Sequence, residues 1–221
     1  RRCIRSHDAL RQPRVTQMVE GEKPLWPRQT LCYGRPGHQN HRLNMPTPVV
    51  IQRCPDYDPA RVEEALRRAL EPLGGMGALL GDATRVVLKP NLLIAGPAEA
   101  GHMTHPGVVE AAARLALASG TREVVIADSP AFGSAKHVAR SCGIAQVAER
   151  LGLAVWDLDQ HRRVALPPGE AEWRHLLVDR RVMEPGTRVV NLGKAKVHGQ
   201  MYVTLAVKNL FGVVSGRRKA M

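Results

Sequence analysis

The chain has 221 residues, 44% of them hydrophobic but only 4% aromatic, and its formal charge is +12. That length suits a single globular domain with extra material, and its core must be built from aliphatic side chains. No stretch approaches the roughly 18 apolar residues of a membrane-spanning helix, so no membrane partner is expected; the charge invites a nucleic-acid or anionic-surface reading until its location is checked.

Half of that net charge sits at the front. Residues 1–44 carry Arg1, Arg2, Arg5, Arg11, Arg14, Lys23, Arg28, Arg35 and Arg42 against Asp8, Glu20 and Glu22. They show no sustained period, and Pro13, Gly21, Pro24, Pro27, Gly34, Pro36 and Gly37 interrupt them, which is the composition of a disordered basic tail. Met45 opens the first patterned stretch, so it is expected to be the native start, with residues 45–221 forming the N-terminal part of an α/β domain cut before its end. The charges of the tail alternate with Pro and His and have no helical face, which ranks nucleic-acid binding last. Arg1-Arg2 is followed by Cys3-Ile4-Arg5-Ser6 rather than an apolar run, unlike an export signal. Cys3, Cys32, Cys54 and Cys142 are scattered without CxxC or Cys/His spacing; they read as free thiols of a cytoplasmic protein.

Val49-Val50-Ile51 reads as a first strand. Asp58 and Pro59 supply a helix cap and an N1 proline, with Val62, Leu66, Leu70 and Leu73 on one face before Gly74-Gly75. Buried strands are predicted at Arg85 to Leu88, Glu123 to Ala127, Leu153 to Leu158 and Thr187 to Leu192, and helices at Pro106 to Ala118 and Ala135 to Leu151. Strands alternating with helices imply βαβ crossovers and a mostly parallel sheet with helices on both faces. No internal repeat is present.

In such sheets ligands bind beyond the carboxyl ends of the strands. Four places meet that condition: Lys89-Pro90-Asn91, Asp128-Ser129-Pro130, the run from Asn191 through Lys194 and Lys196 to His198, and Lys208-Asn209-Leu210-Phe211-Gly212. Thr104-His105-Pro106 adds a helix start, with Thr104 as the expected N-cap, where an anion is favoured. The Gly96 to Gly101 segment before it reads as a mobile loop able to close over a ligand. Lys89, Lys194, Lys196 and Lys208, with Asn91, Thr104, Ser129 and Asn209, are the candidate ligand contacts for carboxylate or phosphate. His198, Asp128 and His105 are the candidate acid-base or metal groups. Each has an ordinary structural explanation alone; together they cluster lysines, an aspartate and histidines at one predicted edge of the sheet.

Those motifs, with Ser141-Cys142-Gly143-Ile144 and Thr204, occur in an order and spacing that resembles the domain of unknown function 362 family over residues 49–219. Many members carry a pair of four-iron clusters after this domain, so the resemblance implies a redox accessory role beside an iron-sulfur module. The cluster ligands of such a module are not among these residues, and any iron-sulfur cluster would belong to sequence beyond Met221. A weaker similarity, to nickel-dependent lactate racemases, rests on the separation of His198 and Lys208. It would make Lys208 a cofactor contact and His198 a proton-transfer group, although Leu205-Ala206-Val207 stand where the racemase has glycines. The leading expectation is an α/β protein that binds a small anionic ligand or cofactor at the C-terminal edge of its sheet; the identity of any cofactor or metal is left open.

Overall fold

The computed structural model describes residues 48–165, 174–199 and 202–214, all within the unit Cys32–Met221. The expected tail and start site, residues 1–44 and Met45, lie outside the described residues. Helix α1 (Pro59–Leu70) begins as its sequence predicts, with Asp58 Oδ1 accepting from the Arg61 N–H at 3.1 Å and Pro59 in the first turn. Its outer face is laced by Arg67 and Arg68 to Glu63 and Glu64 one turn back. Its inner face buries Val62 and lays Leu66 and Leu70 on the core. A 3-10 turn (Glu71–Leu73) leads into α2 (Gly75–Leu80), a helix that the Gly-rich sequence does not announce.

Four parallel strands follow: β1 (Arg85–Pro90), β2 (Glu123–Asp128), β3 (Ala154–Asp157) and, after a hairpin, β6 (Thr187–Leu192), in the spatial order β3-β2-β1-β6. Helix α3 (Pro106–Ala118) connects β1 to β2, and α4 (Ala135–Ser141) with α5 (Ile144–Leu151) connects β2 to β3. This is the α/β architecture expected from alternating strands and helices. The pleat sorts the core: Val86, Leu88, Val124 and Ile126 face α2 to α5, where alanines 112, 113 and 116 let α3 approach closely. Val87, Val125 and Ala127 face the other way. That second face is covered by Leu158, Val182 of a 3-10 helix (Arg180–Met183) and Val213 of another (Phe211–Val213). The antiparallel ribbon β4 (His161–Ala165) and β5 (His175–Asp179) precedes the first of these. A second ribbon, β7 (Lys196–His198) and β8 (Tyr202–Thr204), leads into α6 (Ala206–Leu210).

Two expectations are corrected. Val49 and Ile51 are 82% and 84% exposed and form no strand: β-branched side chains favour a strand only where a neighbouring strand receives them, and neither described edge of the sheet does. The predicted single helix over 135–151 is two helices, because Gly143 adopts φ +85° and starts α5 afresh. Glu110, almost buried on α3, holds α5 alongside through Arg150 at 2.6 Å while also accepting from Arg114 at 2.7 Å. Burial would raise its pKa, but the two guanidinium hydrogen bonds more than offset this and hold the carboxyl below its ordinary value.

The left-handed Gly143 is a direct test of this architecture. Gly143→Ala should destabilise the protein by about 1 kcal/mol, the cost of a left-handed alanine reduced by its stiffer unfolded chain. Gly77→Ala, inside α2 where an added Cβ would make only an ordinary contact with Ser119 Cβ at 3.8 Å, should have the opposite sign, by up to about 1 kcal/mol. Urea unfolding midpoints of the two variants check the pair.

Candidate functional site

The carboxyl ends of β1, β2 and β6 lie side by side, because register pairs Lys89 with Asn191 and Leu88 with Ile126. Lys89 is fully buried, and its Nζ lies 2.6 Å from Asp128 Oδ1, which is equally enclosed. The ammonium also reaches the Pro90 carbonyl at 3.1 Å and Asn209 Oδ1 at 3.4 Å, so its three N–H groups each have an acceptor. Asp128 is likewise committed: Oδ1 accepts from the Ser129 N–H and Oδ2 from the Leu92 N–H, both at 2.8 Å. Burial pushes its pKa up, while Lys89 and the two backbone N–H groups pull the other way without cancelling it. Gly212 closes over the pair, and a Cβ there would collide with both Lys89 and Asp128.

Asparagines knit the strand ends together. Asn209, buried on α6, donates to the Lys89 carbonyl at 3.2 Å and to Asn191 Oδ1 at 2.7 Å, and accepts from Asn91 Nδ2 at 3.1 Å. Asn191 in turn donates to the Ala206 carbonyl at 2.7 Å. Thr104, expected as the cap of α3, instead bridges two strand ends. Its hydroxyl donates to the Leu192 carbonyl at 2.6 Å and accepts from the Asn91 N–H at 2.8 Å. The cap is His105, whose Nδ1 accepts from the Gly107 N–H at 3.1 Å. The residue with extended backbone just before the helix is His105, so it, not Thr104, has the geometry to reach that N–H. Burial lowers the His105 pKa, with Glu99 opposing and Lys194 reinforcing. The segment Gly96 to Gly101, expected as a mobile loop, contains a 3-10 turn (Ala98–Ala100) and is tied to α4 through the Gly96 N–H and Ser141 Oγ at 2.9 Å.

Outside this buried layer stand three further lysines. Lys196 Nζ donates to Asn91 Oδ1 and to the His102 carbonyl, both at 2.6 Å. Burial lowers its pKa, the charges of Lys208 and Lys194 act in the same direction, and Asp128 opposes them. Lys208 is exposed on α6. Lys194 donates to the Tyr57 hydroxyl at 3.0 Å, and the Tyr57 ring stacks on His105 with centroids 3.8 Å apart. Among the described residues, Lys89 alone of these four lysines is paired with a carboxylate. The opposite end of the sheet differs: there Arg85 is neutralised by Glu123 and Glu184. A hollow of about 350 Å³, lined by apolar residues of α1 and α2, runs along β6 and shares Asn191 and Leu192 with the site.

The structure thus joins Lys89, Asn91, Thr104, Asp128, Lys196 and Asn209 in one network, to which Ser129 contributes a backbone N–H. Lys208 and Lys194 couple to it by charge. His198 is half-buried two residues beyond Lys196 on β7. Among the described residues no three His, Cys, Asp or Glu side chains gather as a metal site would require, so His105, His198 and Asp128 do not form one. Sequence reasoning misses Tyr57 and the contact made by Gly212. Asn191 is in view at a strand end but is not among the expected contacts; its position after Val189-Val190 is the available signal.

The model of a family described as "Domain of unknown function (DUF362)" matches residues 86–221. A relative, the thylakoid-associated protein sll1697 of Synechocystis sp. (strain ATCC 27184 / PCC 6803 / Kazusa), is 37% identical over 172 residues, covering 78% of this chain and 52% of that protein. The chain therefore spans about half the length of this curated relative. No solved structure matches. Among the described residues no helix is long and apolar enough to cross a membrane. With more than half of its length matched by the family model, the chain belongs to the DUF362 family.

Proposed function

We propose that this protein binds a small anion, a carboxylate or phosphate, at the C-terminal edge of its parallel sheet. The observation that carries this reading is the cluster around Lys196, which feels the charges of both Lys208 and Lys194, while none of the three forms an ion pair with a carboxylate among the described residues. Three like charges so placed repel one another, and an anion between them relieves that repulsion through charge-assisted hydrogen bonds. Lys89 and Asp128 then act from below, by fixing Asn91, Asn209 and the backbone on which the outer lysines stand. The described cysteines, exposed Cys54 and buried Cys142, are both free, which supports a reducing, cytoplasmic setting for this activity.

Inorganic phosphate is the direct probe. Thermal unfolding of the whole chain should shift upward with phosphate, by about 1.4 kcal/mol of added stability at ten times Kd. Phosphate also stabilises folds in general, so the deciding quantity is the difference between proteins at matched ionic strength. Lys196→Met and Lys208→Met should each weaken the phosphate effect at least fivefold, whereas exposed Lys136→Met on α4 should leave it unchanged. Equal phosphate effects in all four proteins would contradict the site.

A further inference from the structure

Lys196 differs from its neighbours in how its nitrogen is held. Its two described acceptors, Asn91 Oδ1 and the His102 carbonyl, each lie at 2.6 Å, and the side chain is half-buried. A neutral amine has two N–H bonds and one lone pair, so two acceptors satisfy it; the third N–H of an ammonium has no acceptor among the described residues. With two tetrahedral directions fixed by hydrogen bonds, the remaining direction is set as well, and on deprotonation it carries the lone pair.

The surroundings raise the fraction of that neutral form. Burial and the charges of Lys208 and Lys194 lower the Lys196 pKa, against the opposing charge of Asp128. Desolvation and an adjacent cation are the two ways in which a lysine becomes a nucleophile near neutrality. The neighbours remain available as charged groups: Lys194 beside the Tyr57 hydroxyl and Lys208 on the exposed side of α6. A carboxylate is the anion that two ammonium groups of this kind hold well.

We propose that Lys196 is the nucleophilic amine of this site and forms a Schiff base with the carbonyl carbon of a small oxo acid, whose carboxylate is held by Lys194 and Lys208. This deepens, and rests on, the anion-site reading above. Nζ attacks the carbonyl carbon and the C–N bond forms. The carbonyl oxygen takes one proton from the amine and one from solvent and leaves as water. One amine, one carbonyl and one proton give one protonated imine and one water, with no change in oxidation state.

The test is reductive trapping. The whole chain is incubated with pyruvate and sodium cyanoborohydride, and modified lysines are mapped by peptide mass spectrometry. Lys196 should be modified at least tenfold faster than exposed Lys136, and an excess of inorganic phosphate should slow it. Lys196→Arg removes the nucleophilic amine and should lose the fast adduct, whereas Lys136→Met should keep it. Reaction of Lys196 no faster than Lys136, or survival of the fast adduct in Lys196→Arg, overturns the proposal. Equal rate enhancement with pyruvate and with neutral acetaldehyde overturns the assignment to an oxo acid. Failure of the anion site itself reads out separately, as loss of the phosphate shift in the wild-type chain, which trapping does not measure.

Discussion

The buried contact between Lys89 and Asp128 is the constraint around which the rest of the sheet edge is arranged. Two ionisable groups removed from water carry a desolvation cost of several kcal/mol each, recovered only when geometry and additional hydrogen bonds are close to complete. Here they are complete: the ammonium has three acceptors, and the carboxylate receives two backbone N–H groups besides Lys89. Each of those bonds recruits another part of the chain, namely the turn after β1, the turn after β2 and helix α6. The requirement extends to Gly212, where any side chain would collide with the pair. A local electrostatic demand thus fixes the position of segments about 120 residues apart in sequence, as the Lys89 to Asn209 contact shows.

This arrangement divides the basic residues into two kinds. Lys89 is neutralised and serves the fold, whereas Lys194, Lys196 and Lys208 are set around it without described carboxylate partners. At the other end of the same strands Arg85 is balanced by two glutamates, so the excess of positive charge at the C-terminal edge is a feature of that edge and not of the composition alone. Family membership is consistent with a shared scaffold in this region, since the family model begins at residue 86, within β1.

Much of this is legible in the sequence. Buried apolar runs ending in Lys89, Asp128 and Asn191 follow from the strand period, and parallel strands necessarily end on one side; hence the convergence is readable without coordinates. What is not readable is who pairs with whom. Nothing in Lys89-Pro90-Asn91 says that the lysine turns inward to a carboxylate while Lys196 takes the position nearer solvent. Thr104 has the sequence of a helix cap because it precedes Pro106 closely, but a backbone shift of one residue gives that role to His105 and frees the hydroxyl to bridge β6 and the turn after β1. Val49 to Ile51 has the propensity of a strand but no strand to pair with among the described residues, and Gly143 breaks a continuous helical period by its backbone alone. Those are tertiary facts, outside the reach of local pattern.

The most direct measurement of the central claim is a double-mutant cycle on the buried pair, with Lys89→Met, Asp128→Asn and the double variant compared by urea unfolding. If the pair organises the edge, each single change leaves the other group buried without its main partner and costs about 3–5 kcal/mol. The double variant should then be more stable than the sum predicts, by at least about 2 kcal/mol. Small single effects that add to within about 0.5 kcal/mol would contradict the account, because they would mean that Lys89 and Asp128 are neighbours without being the interaction on which the site is built.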